Sequence, residues 1–268
     1  MSDRRDAVDY DKIGRIYDTS RLANPETLEK LTRLLEVGSR SVILDLGCGT
    51  GNYAGALGNV AKTVIGVDLS IGMLKQARAK FPSLQLVHGD VTSLPFASSI
   101  FDGALAVQVL HHVSDKEEFL REALRVVRDG GSIAIHACSH QQMRAFWFYH
   151  YFPRGLEVDL ARMLDSREIA SLLAAVGFSD IGIEICYSDV VVAGETPERY
   201  LDKNYRDSIS TFAFLTEEEV GSGCQRIQED IASGIVGSVV RQAEAKVADE
   251  TGGSCIIYGR KTGGHETH

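Results

Sequence analysis

The segment Val42-Ile43-Leu44-Asp45-Leu46-Gly47-Cys48-Gly49-Thr50-Gly51 constrains this chain more than any other. A short apolar run feeds directly into three glycines at alternate positions, which reads as a buried strand entering a glycine-rich turn before a helix. Glycine tolerates positive φ and carries no Cβ, so a ligand can lie directly on such a turn. The helix that follows directs its amide dipoles toward that ligand. The dinucleotide fingerprint is G-x-G-x-x-G, whereas the spacing here is G-x-G-x-G, with Asp45 two residues before the first glycine. A carboxylate there repels a pyrophosphate and suits a ligand with a positive amino group.

The surrounding pattern alternates. Apolar runs at Ser41–Leu46, Val64–Val67, Leu84–Val87, Gly103–Val107 and Ser132–Ile135 read as strands. Helical patterns lie between them. One follows Ser70, with Met73, Leu74 and Ala77 on a face. Another follows Asp115, with Phe119, Leu120, Ala123, Leu124 and Val127, and closes at Gly130-Gly131. Buried strands alternating with helices predict an α/β fold, a parallel sheet covered on both faces. Upstream, Asn24-Pro25 opens a helix carrying Leu28, Leu31, Leu34 and Leu35, with Gly38 as its end. Downstream, Asp165-Ser166 starts a helix that stops at Gly177, and Ile181–Tyr187 reads as a strand. Residues 190–250 are mostly helical in pattern, with starts at Thr196-Pro197 and at the capping box Thr216-x-x-Glu219. Cys255–Tyr258 is a last strand.

The 268 residues fit one domain, 1–268, and 44% hydrophobic content builds a core without staples. The formal charge of −9 disfavours generic nucleic-acid binding. Cys48, Cys138, Cys186, Cys224 and Cys255 are widely spaced with no C-x-x-C pair, so neither a zinc site nor a redox motif is expected. No apolar run approaches the roughly 20 residues that span a membrane, and the first residues lack an apolar leader. The expected location is the cytoplasm.

Two further acids fall one strand apart. Asp68 ends Val64-Ile65-Gly66-Val67-Asp68, where a carboxylate can hold both hydroxyls of a ribose; its alternative is to cap the next helix, a role Ser70 can fill. Asp90, in His88-Gly89-Asp90-Val91, can accept from an exocyclic amine while the next N–H meets a ring nitrogen. These motifs resemble the class I S-adenosylmethionine-dependent methyltransferases, particularly the type-11 group with its ubiquinone- and menaquinone-biosynthesis enzymes. LDLGCGTG, GVDLS, GDVTSLPF, FDGALAVQVLHHV and LRVVRDGGSIAI resemble five successive family motifs, over about residues 41–137. The resemblance implies a Rossmann-like, mostly parallel seven-stranded sheet with its last strand antiparallel, S-adenosyl-L-methionine as cofactor, and a small-molecule methyl acceptor. It implies that Asp45, Gly47, Gly49 and Gly51 hold the methionine part, and that Asp68 holds the ribose. Leu69 and Met73 would pack the adenosine, Asp90 and Val91 would read the adenine, and Gln108 would lie beside the methionine carboxylate or sulfonium. A tyrosine near the N-terminus, Tyr10 or Tyr17, would face the cofactor or pack in a lid over residues 1–38.

The acceptor is less constrained. Gln108-Val109-Leu110-His111 replaces the Asp/Asn-Pro-Pro-aromatic that grips an amine in other families. This counts against nucleobase or glutamine amides and leaves O, C and S acceptors and other amines open, O- or C-methylation being the favoured reading. His111 is the first candidate base, ahead of His112 and His136. The run Phe146–Phe152 either lines an apolar pocket or packs as core, and Arg144 and Arg154 either pair with a substrate or stay solvated. Family members join their last two strands almost directly. Here some 65 residues intervene, read as a helical insertion over 188–252 that covers the site or makes a dimer contact. Two alternatives stand beside this reading: S-methylation of arsenite or a thiol through Cys138, Cys186 and Cys224, and a protein that binds the cofactor without turnover.

Overall fold

The computed structural model describes residues 22–188 and 196–263. Seven strands form one sheet: β1 Val42–Leu46, β2 Thr63–Asp68, β3 Gln85–His88, β4 Phe101–Val107, β5 Val127–Ala137, β6 Phe178–Cys186 and β7 Ser254–Lys261. Their order is β3-β2-β1-β4-β5-β7-β6, and β7 alone runs antiparallel to its neighbours. The sheet is the Rossmann-like arrangement the motifs implied.

Strand β1 shows why both faces are buried. Ile43 packs with Leu31, Ala54 and Leu57 under α1 (Pro25–Leu34) and α2 (Asn52–Leu57). Its neighbour Leu44 packs on the opposite face with Phe119 and Leu120 of α4 (Lys116–Val126) and Ile169 and Leu173 of α8 (Ser166–Val176). Helix α3, Ile71–Lys80, connects β2 to β3. Asn24, Ser70, Asp115 and Asp165 each accept a backbone N–H at a helix start, as their sequence positions predict.

Two helix ends differ from expectation. α1 stops at Leu34, and Gly38 instead exchanges bonds with Ser41 in the turn entering β1. α4 stops at Val126, and Gly130-Gly131 lie inside β5. There Val127 pairs with Phe101 and Ser132 with Gly103, so β5 carries extra residues, and Gly130 at φ +77° takes up the excursion.

Beyond β5 lie α5 (His140–Met143), α6 (Phe148–Tyr151) and α7 (Pro153–Arg162). Beyond β6 come a 3₁₀ helix Pro197–Leu201, α9 (Lys203–Asp207), a 3₁₀ helix Ser210–Phe214, α10 (Glu217–Ser233), α11 (Val236–Lys246) and a π turn Val247–Thr251. The aromatic run packs chiefly as core. Trp147, Phe148, Tyr151 and Phe152 are buried against Tyr200, Tyr205, Phe212 and Ile227 in a core of their own. We call this unit the cap. Buried Asp159 of α7 ties it together, accepting from the Tyr149 and Thr211 hydroxyls at 2.8 Å each and pairing with Arg162 at 2.7 Å. Arg144 donates to its own helix and Arg154 pairs with Glu157.

Candidate functional site

The carboxyl ends of β1 to β4 gather at one edge of the parallel sheet, where open α/β folds place their ligands. The glycine turn after β1 is held from three sides. Gly47 and Cys48 donate their N–H groups to Val67 O of β2 at 2.8 and 2.9 Å. Gly47 sits at φ +70°, and a Cβ there would lie 2.7 Å from the Val109 methyls. Asp68 accepts from Gly49 N–H at 2.8 Å with one oxygen and from Ser70 N–H at 2.8 Å with the other. Ser70 is the cap of α3, so Asp68 is released from that duty and instead braces the turn. Gly51, at φ +79°, opens α2.

Gly49 is different. A Cβ on it would meet no heavy atom within 4 Å, so its outer side opens to the crevice. Beneath lies Asp45, 2% exposed, accepting from Ala54 N–H of α2. Burial, and then the neighbouring Asp68, push its carboxyl up to about 7. Burial raises Asp68 as well, partly offset by its backbone bonds. No lysine or arginine among the described residues pairs with either acid. An open backbone cradle above two carboxyls that no described lysine or arginine neutralises fits a ligand carrying positive charge and repels a phosphate. S-adenosylmethionine, with its ammonium and sulfonium, meets that condition.

The remaining residues fall around this centre. Leu69 stands 68% exposed just past β2, whereas Met73 is buried at 4%, under the rim rather than on it. Asp90 is exposed after β3, and one of its oxygens closes a turn onto Thr92 N–H and Oγ1–H at 2.8 and 2.7 Å. Val91 packs on the core beside it. Gln108 follows β4 at φ +54°, a costly backbone for a residue with a side chain. Its N–H donates to His136 O at 3.0 Å and its Nε2 to Cys138 Sγ at 3.6 Å. His111 is half-buried in the 3₁₀ turn Leu110–His112, its ring 3.8 Å from that of exposed His112. Tyr10 and Tyr17 lie outside the described residues.

Two participants had no sequence signal. Val109 closes over Gly47, and Ser254 Oγ meets His136 Nε2 at 2.8 Å across β5 and β7. The thiols are spread out. Cys138 donates to Gly253 O and Cys224, on α10, to Tyr200 O. Among the described residues no three His, Cys, Asp or Glu side chains gather as a metal site.

Residues 44–135 match the family described as a methyltransferase domain. A demethylmenaquinone methyltransferase of Beutenbergia cavernae is 34% identical over 163 residues, covering 59% of this chain and 68% of that protein. A tRNA (carboxymethyluridine(34)-5-O)-methyltransferase of Saccharomyces cerevisiae is 35% identical over 45% of this chain and 42% of its own length. Across the curated relatives that match first, the chain spans between 41% and 69% of their length. Among solved structures, a protein of Anabaena variabilis assigned to the methyltransferases of an antibiotic biosynthesis pathway superposes with a TM-score of 0.75. It shares 27% identity and covers 89% of this chain and 98% of its own.

Proposed function

Since the chain belongs to the S-adenosylmethionine-dependent methyltransferases, we propose that it methylates a small molecule at oxygen or carbon. The acceptor lies beyond the β4 and β5 ends, beneath the helical insertion of residues 188–252. The observation that carries this reading is the open Gly49 cradle over the Asp45 and Asp68 carboxyls, next to a second crevice lined by Gln108, His111 and Cys138.

In this reading Asp45 and the Gly47, Gly49 and Gly51 backbone hold the methionine part. Asp68 holds the ribose with lone pairs left after bracing the turn. Leu69, Asp90 and Val91 contact the adenosine, with Met73 supporting the rim from below. Gln108 divides the cofactor side from the acceptor side. Bound S-adenosylmethionine supplies a methyl group already activated on positive sulfur. The protein's own contribution is to hold the acceptor in line, worth on the order of 7–11 kcal/mol, and to exclude water with the cap.

The net charge of −9 argues against an RNA acceptor despite the yeast relative. The dispersed thiols argue against arsenite chemistry, Cys138 and Cys224 each donating to a different backbone carbonyl. No helix of the described residues is long and apolar enough to cross a membrane, and we place the reaction in the cytoplasm. The test is a panel of phenols, carboxylic acids and 1,3-dicarbonyl compounds incubated with S-adenosylmethionine, with S-adenosylhomocysteine measured. Turnover of a panel member is the expected result. Turnover confined to RNA or to thiols would overturn it.

A further inference from the structure

His136 ends β5 on the sheet face that carries Ala134, Ile256 and Cys186, in one register row with Ile256 and Glu184. It is 3% exposed, and its Nε2 lies 2.8 Å from Ser254 Oγ of β7, itself fully buried. A satisfied core histidine would explain the pair if it stood mid-sheet. It stands instead at the carboxyl end, opposite Val107 in register, with its carbonyl holding Gln108 N–H. Gln108, His111 and His136 line the same crevice. Carboxyl ends of parallel strands are where such folds do their chemistry.

We propose that His136, oriented by Ser254, is the base of the acceptor half of the site. This rests on the small-molecule reading above. The acceptor's X–H bond breaks and its proton passes to the imidazole, which becomes imidazolium. The electron pair left on X forms the bond to the methyl carbon, and the pair of the breaking C–S bond stays on sulfur. A hydroxyl is the partner such a ring needs, because Ser254 Oγ can donate to Nε2 or accept from it. The hydrogen bond therefore survives the change in ring charge. His111 has a weaker claim: its ring lies 3.8 Å from that of exposed His112, tilted by 54°, in a single turn. Among the described residues, the titratable groups placed around His136 are Cys138 beyond its own strand, His111 from the 3₁₀ turn, Glu184 two strands across on the same face, and Cys186 opposite Ser254 at the end of β6. Lys30 of α1 approaches Cys186 from above.

The experiment compares the parent with His136→Gln, Ser254→Ala and His111→Gln. S-adenosylhomocysteine formation from the best acceptor of the panel is followed between pH 5.5 and 9. Cofactor affinity is measured by calorimetry, and the histidine ring signals are titrated by NMR in the S-adenosylhomocysteine complex. The parent's kcat should rise with pH through the ionisation of the ring and then level. His136→Gln should lose about 10²–10⁴-fold in kcat and lack that limb, with cofactor affinity unchanged. Ser254→Ala should keep the limb and displace it. A loss confined to His111→Gln, or a persisting limb in His136→Gln, would overturn the proposal. If no acceptor on the panel turns over, the small-molecule reading falls, and the NMR titration still decides the pair. A His136 ring that stays neutral across the whole range is a core histidine and not a base.

Discussion

A carboxyl in a dry site with a second carboxyl beside it is easier to protonate than to ionise. Asp45 is in that position, raised to about 7. A carboxyl with a raised folded-state value binds its proton more tightly folded than unfolded. Its ionisation therefore withdraws stability as pH climbs from about 4 to about 7. Asp45→Asn keeps an oxygen for Ala54 N–H and carries no charge. The ligand-free variant should melt higher than the parent at pH 8, with the gap narrowing below about pH 7 and closing toward about pH 4, while its affinity for S-adenosylmethionine falls. Equal melting curves at pH 8 would mean the carboxyl is not strained by burial. Gly47 offers a second residue-level test. Gly47→Ala places a methyl 2.7 Å from Val109 on a left-handed backbone, a strain of about 1–3 kcal/mol. Calorimetry should find cofactor binding strongly weakened, and thermal melting should find the variant less stable.

Among the elements, the cap carries its own reporter. Trp147 is the single tryptophan of the chain and is buried in the aromatic core. Asp159→Ala removes the acceptor shared by Tyr149, Thr211 and Arg162 and leaves a mostly buried guanidinium without its partner, a change worth about 3–5 kcal/mol. Tryptophan fluorescence of that variant should shift red at a lower urea concentration than the far-ultraviolet signal of the sheet. Coincident transitions would make cap and sheet one cooperative unit. The cap also shows where sequence reading reaches its limit. The starts at Asn24, Ser70, Asp115, Asp165 and Thr216 were legible because a cap is a bond across two or three residues. The glycine turn was legible for the same reason. The aromatic run stayed ambiguous because its partners, Tyr200, Tyr205 and Phe212, lie some fifty residues further on. Ser254 lies 118 residues from His136, and the pair follows only once β7 is known to lie beside β5.

For the whole molecule, the two buried acids and the charge of −9 set a preference among nucleotide ligands. S-adenosylmethionine at 100 times its dissociation constant should stabilise the protein by about 2.7 kcal/mol, visible as a clear rise in melting temperature. NAD at the same concentration should leave the melting temperature unchanged, since its pyrophosphate would meet those carboxyls. A matching rise with NAD would overturn the electrostatic argument for the cofactor.

The place of β7 has a consequence for how the protein is made. Strand β7 enters between β5 and β6, two strands synthesised well before it. While the ribosome adds the insertion at roughly 5–20 residues per second, β6 lacks the neighbour it will pair with and β5 keeps an open flank for several seconds. The nascent chain can already assemble the glycine turn, Asp45 and Asp68, all on β1 and β2. The histidine–serine couple waits for residue 254. On the proposed assignment, the residues for the methyl donor are in place early in synthesis and those for the acceptor are completed last.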